Sequence, residues 1–248
     1  MVTAGGSGIG RAIAERFLAA GARVFICDIA DEALADIKVK QPSIGSIRAD
    51  VGDAAQVAVL FSHVNGVLGG LDVLVNNAGI GGPKAALDEI EIREWEATIR
   101  VNLSGTFYCT QQAARLMKPQ RSGCIINIST ASVRTGLPLR APYVASKAGV
   151  QGLTHNTARE LGPYNIRCNA ILPGAIDNPR GHALVERRAR ELGVSITEAE
   201  AQKLQYVSMR SRVSPEEVGE MCVFLASDGG RHVSGQMIGV CGNSEWEI

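Results

Sequence analysis

The sequence predicts an α/β fold in which helices cover both faces of a parallel β-sheet, the doubly wound arrangement. Short apolar runs rich in β-branched residues alternate along the chain with longer helical segments, a pattern typical of βαβ crossovers. Several of these runs are almost continuously apolar, as expected for strands that are buried on both faces. A glycine-rich loop directly follows the first run and opens the first helix. We find no linker or internal repeat and expect a single domain over residues 1–248.

The predicted elements follow one another in a regular order. The first half contains MVT (strand), RAIAERFLAAGA (helix), RVFICDI (strand), DEALADIKVK (helix), IGSIRADV (strand), AAQVAVLFSHVNGVLGG (helix) and LDVLVNNAG (strand). The second half contains a long helical stretch over residues 88–117, GCIINIST (strand), a helix after Tyr143, IRCNAILPG (strand), PEEVGEMCVFLAS (helix) and QMIGVCG (strand). Only MVT precedes the glycine loop, whereas strands usually have about 5–6 residues. Either the native chain begins upstream of Met1 or its central strand is stunted.

One segment differs from its surroundings. Residues 175–212 are polar and rich in arginine, and they carry no strand pattern. They follow the end of a strand and precede a helix, where α/β enzymes often carry a mobile cover of the active site. We interpret residues 175–212 as a substrate lid; the alternative is a solvated helical excursion with no role in binding.

The composition excludes several classes of protein. The chain has 25 basic and 25 acidic side chains, so it shows no electrostatic footprint for nucleic acid or for an anionic membrane surface. No apolar run reaches the roughly 18–20 residues that span a bilayer, and no secretory signal is visible. Six scattered cysteines without a C-x-x-C pair favour buried free thiols in a reducing compartment, by default the cytoplasm. No cluster of histidine, cysteine and carboxylate side chains indicates a metal site.

The glycine-rich loop predicts a dinucleotide site. Gly6, Gly8 and Gly10 lie between a strand and a helix, so main-chain N–H groups and the helix N-terminus can face a pyrophosphate. Asp28 ends the next strand, where a carboxylate accepts hydrogen bonds from the ribose hydroxyls and repels a 2′-phosphate. Ile29 and Ala30 follow it, and neither could attract that phosphate. The pattern favours NAD over NADP; the alternative role of Asp28 is a cap on the next helix.

Tyr143 and Lys147 form a candidate acid–base pair. They are four residues apart, so on a helix they share one face and the ammonium can lie near the phenol. A free tyrosine titrates near pH ~10, and a nearby positive charge favours the phenolate. The pair alone is only suggestive, because a chain with four tyrosines can contain such a spacing by chance.

Together these motifs resemble those of the short-chain dehydrogenase/reductase family, in its short NAD(P)-binding branch. Seven motifs occur in family order and at family spacing: TAGGSGIG (3–10), DV (50–51), NNAG (76–79), the asparagine of VNLSG (102), IINIST (125–130), YVASK (143–147) and PG (173–174). The resemblance implies a Rossmann-type sheet of about seven strands in the order 3-2-1-4-5-6-7. It also implies a homotetramer or homodimer that buries the long helices between subunits.

The resemblance assigns roles residue by residue. Tyr143 is implied to be the general acid/base, and Lys147 to lower the pKa of Tyr143 while binding the nicotinamide ribose. Asn102 resembles the family's helix-kinking asparagine, whose main-chain carbonyl holds a water in the proton relay. The positions implied to contact the cofactor are Gly5, Ser7, Gly8, Ile9, Gly10, Asp28, Asp50, Val51, Asn77, Ala78, Gly79, Tyr143, Lys147, Pro173, Gly174, Ile176 and Asn178.

The catalytic serine of the family is replaced in this chain. That serine lies 13 residues before the tyrosine, at the position of Thr130. Threonine keeps the hydroxyl donor, so we expect Thr130 to donate to the substrate oxygen as an oxyanion-hole group does. Ser129 and Ser132 are rivals for this role. Ser129 is expected to point to the opposite side of the strand end, whereas Ser132 can serve if the loop is tightly turned.

Two other positions depart from the family pattern. Ala4 replaces the first glycine of TGxxxGxG, which we expect to be a mild change if the backbone there keeps a negative φ. Asn178 stands where the family often has a threonine that contacts the nicotinamide carboxamide, and its amide can bond the same group.

The substrate is expected to be a small polar secondary alcohol or ketone. Arg134 and Arg140 lie in the loop that forms one wall of the family's substrate pocket, and an arginine fork often binds a carboxylate. A hydroxy acid or sugar acid is therefore our hypothesis; the alternative is that both arginines face solvent or pair with acids such as Glu186. Two other functions stay open: a dehydratase or epimerase of the same fold, and a catalytically silent NAD-binding regulator.

Overall fold

The fold was analysed in a computed structural model that describes residues 1–244, apart from the side chain of Arg180. Residues 245–248 of the predicted domain lie outside the described residues. The seven strands form one sheet, and every pair of neighbouring strands is parallel. The strands are β1 (Val2–Thr3), β2 (Phe25–Asp28), β3 (Gly45–Arg48), β4 (Val73–Asn76), β5 (Gly123–Ile128), β6 (Ile166–Pro173) and β7 (Met237–Val240). Their order is β3-β2-β1-β4-β5-β6-β7, which confirms the predicted doubly wound sheet.

Helices connect the strands and cover both faces of the sheet. They are α1 (Gly8–Ala19), α2 (Asp31–Lys40), α3 (Ala54–Leu68), α4 (Ile92–Ile99), α5 (Gly105–Gln120), α6 (Ser132–Thr135), α7 (Ala141–Leu161), α8 (Pro179–Leu192), α9 (Ile196–Leu204) and α10 (Pro215–Ala226). The buried side chains of α1, α2 and α10 pack in one core cluster, and those of α3 and α5 pack in another. The strands contribute to both clusters, which explains why their sequences are nearly continuous apolar runs.

The starts of several helices follow from local sequence signals. The Ser214 hydroxyl accepts the N–H of Glu217 while the Glu217 carboxylate accepts the N–H of Ser214, a capping box that begins α10. Asp53 accepts the N–H groups of Ala55 and Gln56 and begins α3. Such side-chain bonds satisfy main-chain donors that the first turn of a helix leaves unpaired.

The long helical stretch predicted over residues 88–117 occupies residues 92–120, but it is not α-helical throughout. A π-helical turn, Arg100–Ser104, separates α4 from α5. Asn102 lies in this turn, and its side-chain amide both accepts from the N–H of Ile80 (2.8 Å) and donates to the carbonyl of Ile80 (2.9 Å). The Thr106 hydroxyl donates to the main-chain oxygen of Asn102 at 2.8 Å. The wider turn therefore accompanies tertiary hydrogen bonds that the local apolar pattern does not encode.

A row of neutral polar side chains lies inside the sheet. Asn76 and Asn127 are register partners on β4 and β5, and the amide of Asn76 donates to Asn127 Oδ1 at 2.8 Å. The Asn76 amide also donates to the Thr110 hydroxyl on α5, and the Asn127 amide donates to the Thr154 hydroxyl on α7. All four side chains are buried, so each of these hydrogen bonds replaces one lost to water.

The segment over residues 175–212 folds into two helices, α8 and α9. Val185 and Ala189 of α8 pack against Ala199 of α9 in a small core of their own. Arg212 bonds both carboxylate oxygens of Glu200 on α9, with Nε at 2.7 Å and Nη2 at 2.8 Å. The same guanidinium donates to the main-chain oxygen of Ile176 at 3.0 Å, where the segment begins. These contacts tie the two helices to the base of the segment.

The backbone at Ala4 contradicts the expectation of a negative φ. Ala4 has φ +48°, in the left-handed region, where a Cβ costs about 1–2 kcal/mol and glycine is favoured. The replacement of the family glycine is therefore a source of strain at the start of the glycine loop.

Replacing Ala4 by glycine is expected to stabilise the protein. Ala4→Gly should raise the free energy of unfolding by about 0.5–1 kcal/mol, because strain relief outweighs the added flexibility of the unfolded chain. The matched control is Ala86→Gly, since Ala86 has φ −61° and gains nothing from glycine. Urea unfolding of both variants checks the prediction; equal destabilisation by the two would contradict it.

Candidate active site

The glycine loop lies where the strand order reverses. In open α/β sheets, ligands bind at this point, outside the carboxyl ends of the strands, here between β1 and β4. A Cβ on Gly10 would lie 2.1 Å from the main-chain oxygen of Ala4 and 2.5 Å from Asn77 Nδ2, and a Cβ on Gly5 would lie 2.5 Å from Ile26. The loop thus packs against the sheet as closely as a dinucleotide cradle requires. Ser7 and Gly8 are exposed at its outer side, and Ile9 is half-buried.

Asp28 lies against this loop at the end of β2. Its Oδ2 accepts the N–H of Gly6 at 3.0 Å, and its Oδ1 accepts the N–H of Ala30 at 3.1 Å. The side chain is largely buried, and its carboxylate retains lone pairs for further donors. It therefore brings a negative charge to the end of β2, where the sequence predicts the ribose site.

Sequence reasoning missed Arg48, which is the neighbour of Asp28. Arg48 ends β3 and pairs in register with Asp28, and its Nε lies 3.5 Å from Asp31 Oδ2. Both members of this ion pair are exposed, so a cation lies close to the edge of the candidate ribose site. No local signal marks it, because only the strand order brings β3 beside β2.

Asp50 and Val51 lie beyond the end of β3. Arg100 donates to Asp50 Oδ2 and the N–H of Gly52 donates to Asp50 Oδ1, both at 2.8 Å. Partial burial alone would raise the pKa of the Asp50 carboxyl, but Arg100 and Gly52 outweigh it and lower this pKa. Val51 is buried against Gly105, where a Cβ would lie 2.9 Å from Val51 Cγ2. Arg100, fifty residues from Asp50, is a second partner that sequence reasoning missed.

The strand end after β4 is held by Thr3. The Thr3 hydroxyl accepts the N–H groups of Asn77 and Ala78, both at 3.0 Å. The Asn77 amide donates to the main-chain oxygens of Thr3 and Ala4. A Cβ on Gly79 would lie 3.2 Å from Lys147 Nζ and 3.3 Å from Asn102 Oδ1. Gly79, the last residue of the NNAG motif, therefore lies beside two of the predicted catalytic side chains.

Lys147 is the most desolvated charged group of the site. It lies on the buried face of α7, one turn after the half-buried Tyr143, and its Nζ donates to the main-chain oxygen of Ile128 at 2.7 Å. Burial lowers its pKa from 10.5 to about 8. Ser146, which the sequence analysis did not single out, donates to the Tyr143 carbonyl and accepts from the Asn102 amide. It links α7 to the π-helical turn.

Thr130 and Ser132 form a pair of hydroxyl groups beyond β5. Their side-chain oxygens are 3.0 Å apart, and the N–H of Ser132 donates to Thr130 Oγ1 at 3.2 Å. Both residues are buried. Ser129 instead donates to the main-chain oxygen of Lys147 and accepts from Gln151, so its hydroxyl is committed to α7.

The end of β6 and the loop after it contain the remaining residues predicted to contact the cofactor. Gly174 packs against Cys241, whose Cα would lie 2.8 Å from a Cβ at that position, and Pro173 accepts the N–H of Ala131. Ile176 pairs with Val213 in an isolated bridge. Asn178 begins α8, with its Oδ1 accepting the N–H of Gly181 at 2.7 Å, which leaves its NH₂ as the group able to meet a carboxamide.

The two candidate substrate arginines bind main-chain carbonyls. Arg140 Nη1 donates to the oxygens of Gly81 (3.2 Å), Gly82 (2.8 Å) and Pro83 (3.4 Å). Arg134 Nη2 donates to the oxygen of Met237 at 3.0 Å. Arg140 therefore fastens the loop over residues 81–83 to the start of α7.

Within residues 1–244, no group of three or more histidine, cysteine, aspartate or glutamate side chains is arranged to hold a metal ion. No helix in this part of the chain is both long enough and apolar enough to cross a membrane.

Known proteins share this architecture along nearly their full length. The 3-oxoacyl-[acyl-carrier-protein] reductase FabG of Thermotoga maritima is 38% identical, covering 98% of this chain and 95% of the relative. A structure of actinorhodin polyketide ketoreductase with NADPH has a TM-score of 0.90 at 34% identity, covering 97% of this chain and 94% of the other. A structure of NAD⁺-bound xylitol dehydrogenase also has a TM-score of 0.90, at 28% identity with coverages of 97% and 96%.

A family profile gives the same assignment. The profile described as enoyl-(acyl carrier protein) reductase matches residues 3–242, from the glycine loop to the end of the sheet. With the full-length relatives and the seven ordered motifs, this match shows the family. The chain is an oxidoreductase and belongs to the short-chain dehydrogenase/reductase family.

Proposed function

We propose that this enzyme transfers a hydride between NAD(H) and a small polar secondary alcohol or ketone. The observation that carries the proposal is the meeting of Lys147 Nζ and Asn102 Oδ1 beneath Gly79, one helical turn from Tyr143. This group of residues lies at the end of a glycine cradle fit for a dinucleotide. A nicotinamide cofactor supplies the hydride chemistry when bound, and the protein supplies binding, orientation and proton transfer.

The acid–base step is assigned to the chain's own residues. In alcohol oxidation, Tyr143 accepts the hydroxyl proton, and the Lys147 ammonium favours the phenolate that does so. Thr130 donates a hydrogen bond to the substrate oxygen as negative charge develops there. Lys147 and a water near Asn102 then pass the proton towards solvent. In ketone reduction the same groups act in the opposite sense.

Asp28 supports NAD as the cofactor. Its carboxylate accepts from Gly6 and Ala30 at the ribose end of the cradle, where it would repel a 2′-phosphate. The relatives include one structure with NADPH and one with NAD⁺, so family membership alone does not select the cofactor. Arg48, the register partner of Asp28, is a cation that could favour the phosphate, and it is paired with Asp31.

Removal of the Asp28 carboxylate is expected to reverse the cofactor preference. Asp28→Ser should weaken NAD⁺ binding about 10–100-fold, since charged hydrogen bonds of about 1.5–3 kcal/mol are lost, and should strengthen NADP⁺ binding. Titration of each cofactor gives the two dissociation constants. The control is Glu32→Gln, an exposed acid in the first turn of α2. An unchanged ratio of the two constants in Asp28→Ser would contradict the assignment.

Arg134 and Arg140, in the predicted wall of the substrate pocket, bear on the class of substrate. Arg140 and Arg134 both donate to main-chain carbonyls, so each has a structural role besides any contact with an anion. The relatives include proteins named as levodione reductase and xylitol dehydrogenase, whose names denote a ketone and an alcohol. We therefore propose a secondary alcohol or ketone as the substrate, with hydroxy acids and sugar acids as one subclass to be tested.

A substrate screen tests the proposal. The purified protein is mixed with NAD⁺ or NADP⁺ and with polar secondary alcohols, hydroxy acids and sugar acids, and reduced cofactor is followed by absorbance at alkaline pH. Net NADH formation supports the proposal. Conversion of substrate without net NADH would indicate a dehydratase or epimerase. Tight NAD⁺ binding without conversion of any compound would indicate a regulator.

Three further parts of the proposal concern the setting of the site. We propose that α8 and α9 form the lid, because they start directly after the cofactor loop at Ile176.

Exposed apolar side chains of α4 and α5, Ile92 and Phe107 among them, support a homodimer or homotetramer. The six cysteines are free and buried, which supports a reducing compartment, the cytoplasm.

A further inference from the structure

Thr130 and Ser132 form the hydroxyl pair beyond β5, and together they can fix the direction of the Thr130 hydroxyl hydrogen, which Thr130 alone would not. A serine or threonine hydroxyl can rotate, so the direction of its single hydrogen is fixed in advance only when other groups donate to its lone pairs. Thr130 Oγ1 already accepts the N–H of Ser132 at 3.2 Å. The Ser132 hydroxyl lies 3.0 Å from the same oxygen and can supply a second donor.

We propose that Ser132 is a positioning residue that orients the Thr130 hydroxyl towards the substrate oxygen. When the Ser132 hydroxyl donates to Thr130 Oγ1, both lone pairs of that oxygen are engaged by Ser132. The Thr130 hydrogen then points away from Ser132, and we assign that direction to the oxygen of an alkoxide or ketone. A hydroxyl group that accepts a hydrogen bond is polarised by it and therefore donates its own hydrogen bond more strongly.

The surroundings of the pair favour this ordered arrangement. Thr130 is 6% exposed and Ser132 is 3% exposed, so both side chains are largely shielded from solvent. The turn is fixed by main-chain bonds from Ala131 to Pro173 and from Arg134 to Ala131. The third hydroxyl nearby, that of Ser129, is engaged with Lys147 and Gln151 and takes no part. The pair is thus a buried unit held on a rigid strand end.

Ser132 acts on the threonine that replaces the catalytic serine of the family. The added methyl group of Thr130 restricts its χ1 rotation, because β-branched side chains are stiff there. The oxygen position is then set by packing, while the hydrogen remains free to rotate about the C–O bond. Ser132 removes that remaining freedom.

A double-mutant cycle on the turnover of a secondary alcohol tests the inference, which rests on the proposed function. Ser132→Ala should lower kcat about tenfold with KM little changed, since one orienting hydrogen bond is lost. Ser132→Thr should retain most of the activity because it keeps the hydroxyl. Thr130→Val should lower kcat further, and adding Ser132→Ala to Thr130→Val should cost nothing more.

The outcomes separate this inference from the proposed function. Additive losses in the double variant, or a loss in Ser132→Ala that Ser132→Thr does not restore, would show that Ser132 acts independently of Thr130 and would overturn the inference alone. An active Thr130→Val with an inactive Ser132→Ala would make Ser132 itself the donor and would also overturn it. A wild-type enzyme inactive on every alcohol and ketone would reject the proposed function and the inference together.

Discussion

Tyr143→Phe is expected to lower kcat for a secondary alcohol by roughly 10²–10⁴-fold, the usual contribution of a positioned general acid or base. Phenylalanine keeps the ring on α7 and removes only the hydroxyl. Binding of NAD⁺ should change little, because the glycine cradle, Asp28 and Lys147 remain in place. Steady-state kinetics together with a cofactor titration distinguish the loss of chemistry from a loss of binding.

The matched control, Tyr164→Phe, removes a hydroxyl group just beyond the C-terminal end of α7. Tyr164 follows the C-terminal end of α7, and its ring lies 4.7 Å from Lys118 Nζ, a cation–π contact that phenylalanine also makes. Tyr164→Phe should therefore leave kcat unchanged. Retention of more than a tenth of the wild-type kcat in Tyr143→Phe would exclude Tyr143 as the acid–base group.

Lys147→Met is expected to lose activity and gain stability at the same time. Turnover should fall by roughly 10²-fold or more, because the variant has no ammonium to favour the Tyr143 phenolate. In the cofactor-free protein, burial lowers the pKa of Lys147 from 10.5 to about 8, so the buried charge costs about 3 kcal/mol of folding stability at neutral pH. Methionine removes this cost, partly offset by the lost bond to Ile128.

The difference in the free energy of unfolding between the wild type and Lys147→Met should depend on pH. Below pH 8 both the folded and the unfolded chain hold the Lys147 proton, and the full cost is present. Between pH 8 and 10.5 the folded protein is deprotonated first, so the wild type regains stability relative to Lys147→Met as the pH rises. Urea unfolding at pH 7 and pH ~10 should show the difference shrink by about 2–3 kcal/mol. A constant difference, as expected for the exposed control Lys38→Met, would contradict the burial of a charge at Lys147.

The sheet could be predicted from the sequence because its signals are local. GCIINIST and IRCNAILPG are mostly apolar runs, and they form the neighbouring strands β5 and β6. The helix predicted from PEEVGEMCVFLAS begins where its capping box places it. The predicted site motifs can be recognised for the same reason, because each one is a short run of neighbouring residues.

The features that sequence reasoning missed depend on contacts between distant segments. Arg48 lies beside Asp28 through strand pairing, and Arg100 reaches Asp50 from fifty residues away. The positive φ of Ala4 follows from the packing of the loop on Gly10 and Asn77, and alanine gives no local sign of it. The apolar pattern gives no sign of the π-helical turn, because Asn102 forms its bonds with Ile80, outside the helical stretch; only the family resemblance indicates a kink there.

The buried pair of Asn76 and Asn127 has a consequence for how the strands find their alignment. Strands covered on both faces lack the alternation that normally distinguishes one register from the next, so apolar burial alone would tolerate a slip of β4 along β5. A slip of one residue would leave the amides of Asn76 and Asn127 without their partners in the interior, at a cost of about 1–3 kcal/mol for each group. The two asparagines thus favour a single alignment of β4 with β5. The motifs at the ends of these strands come together only in that alignment.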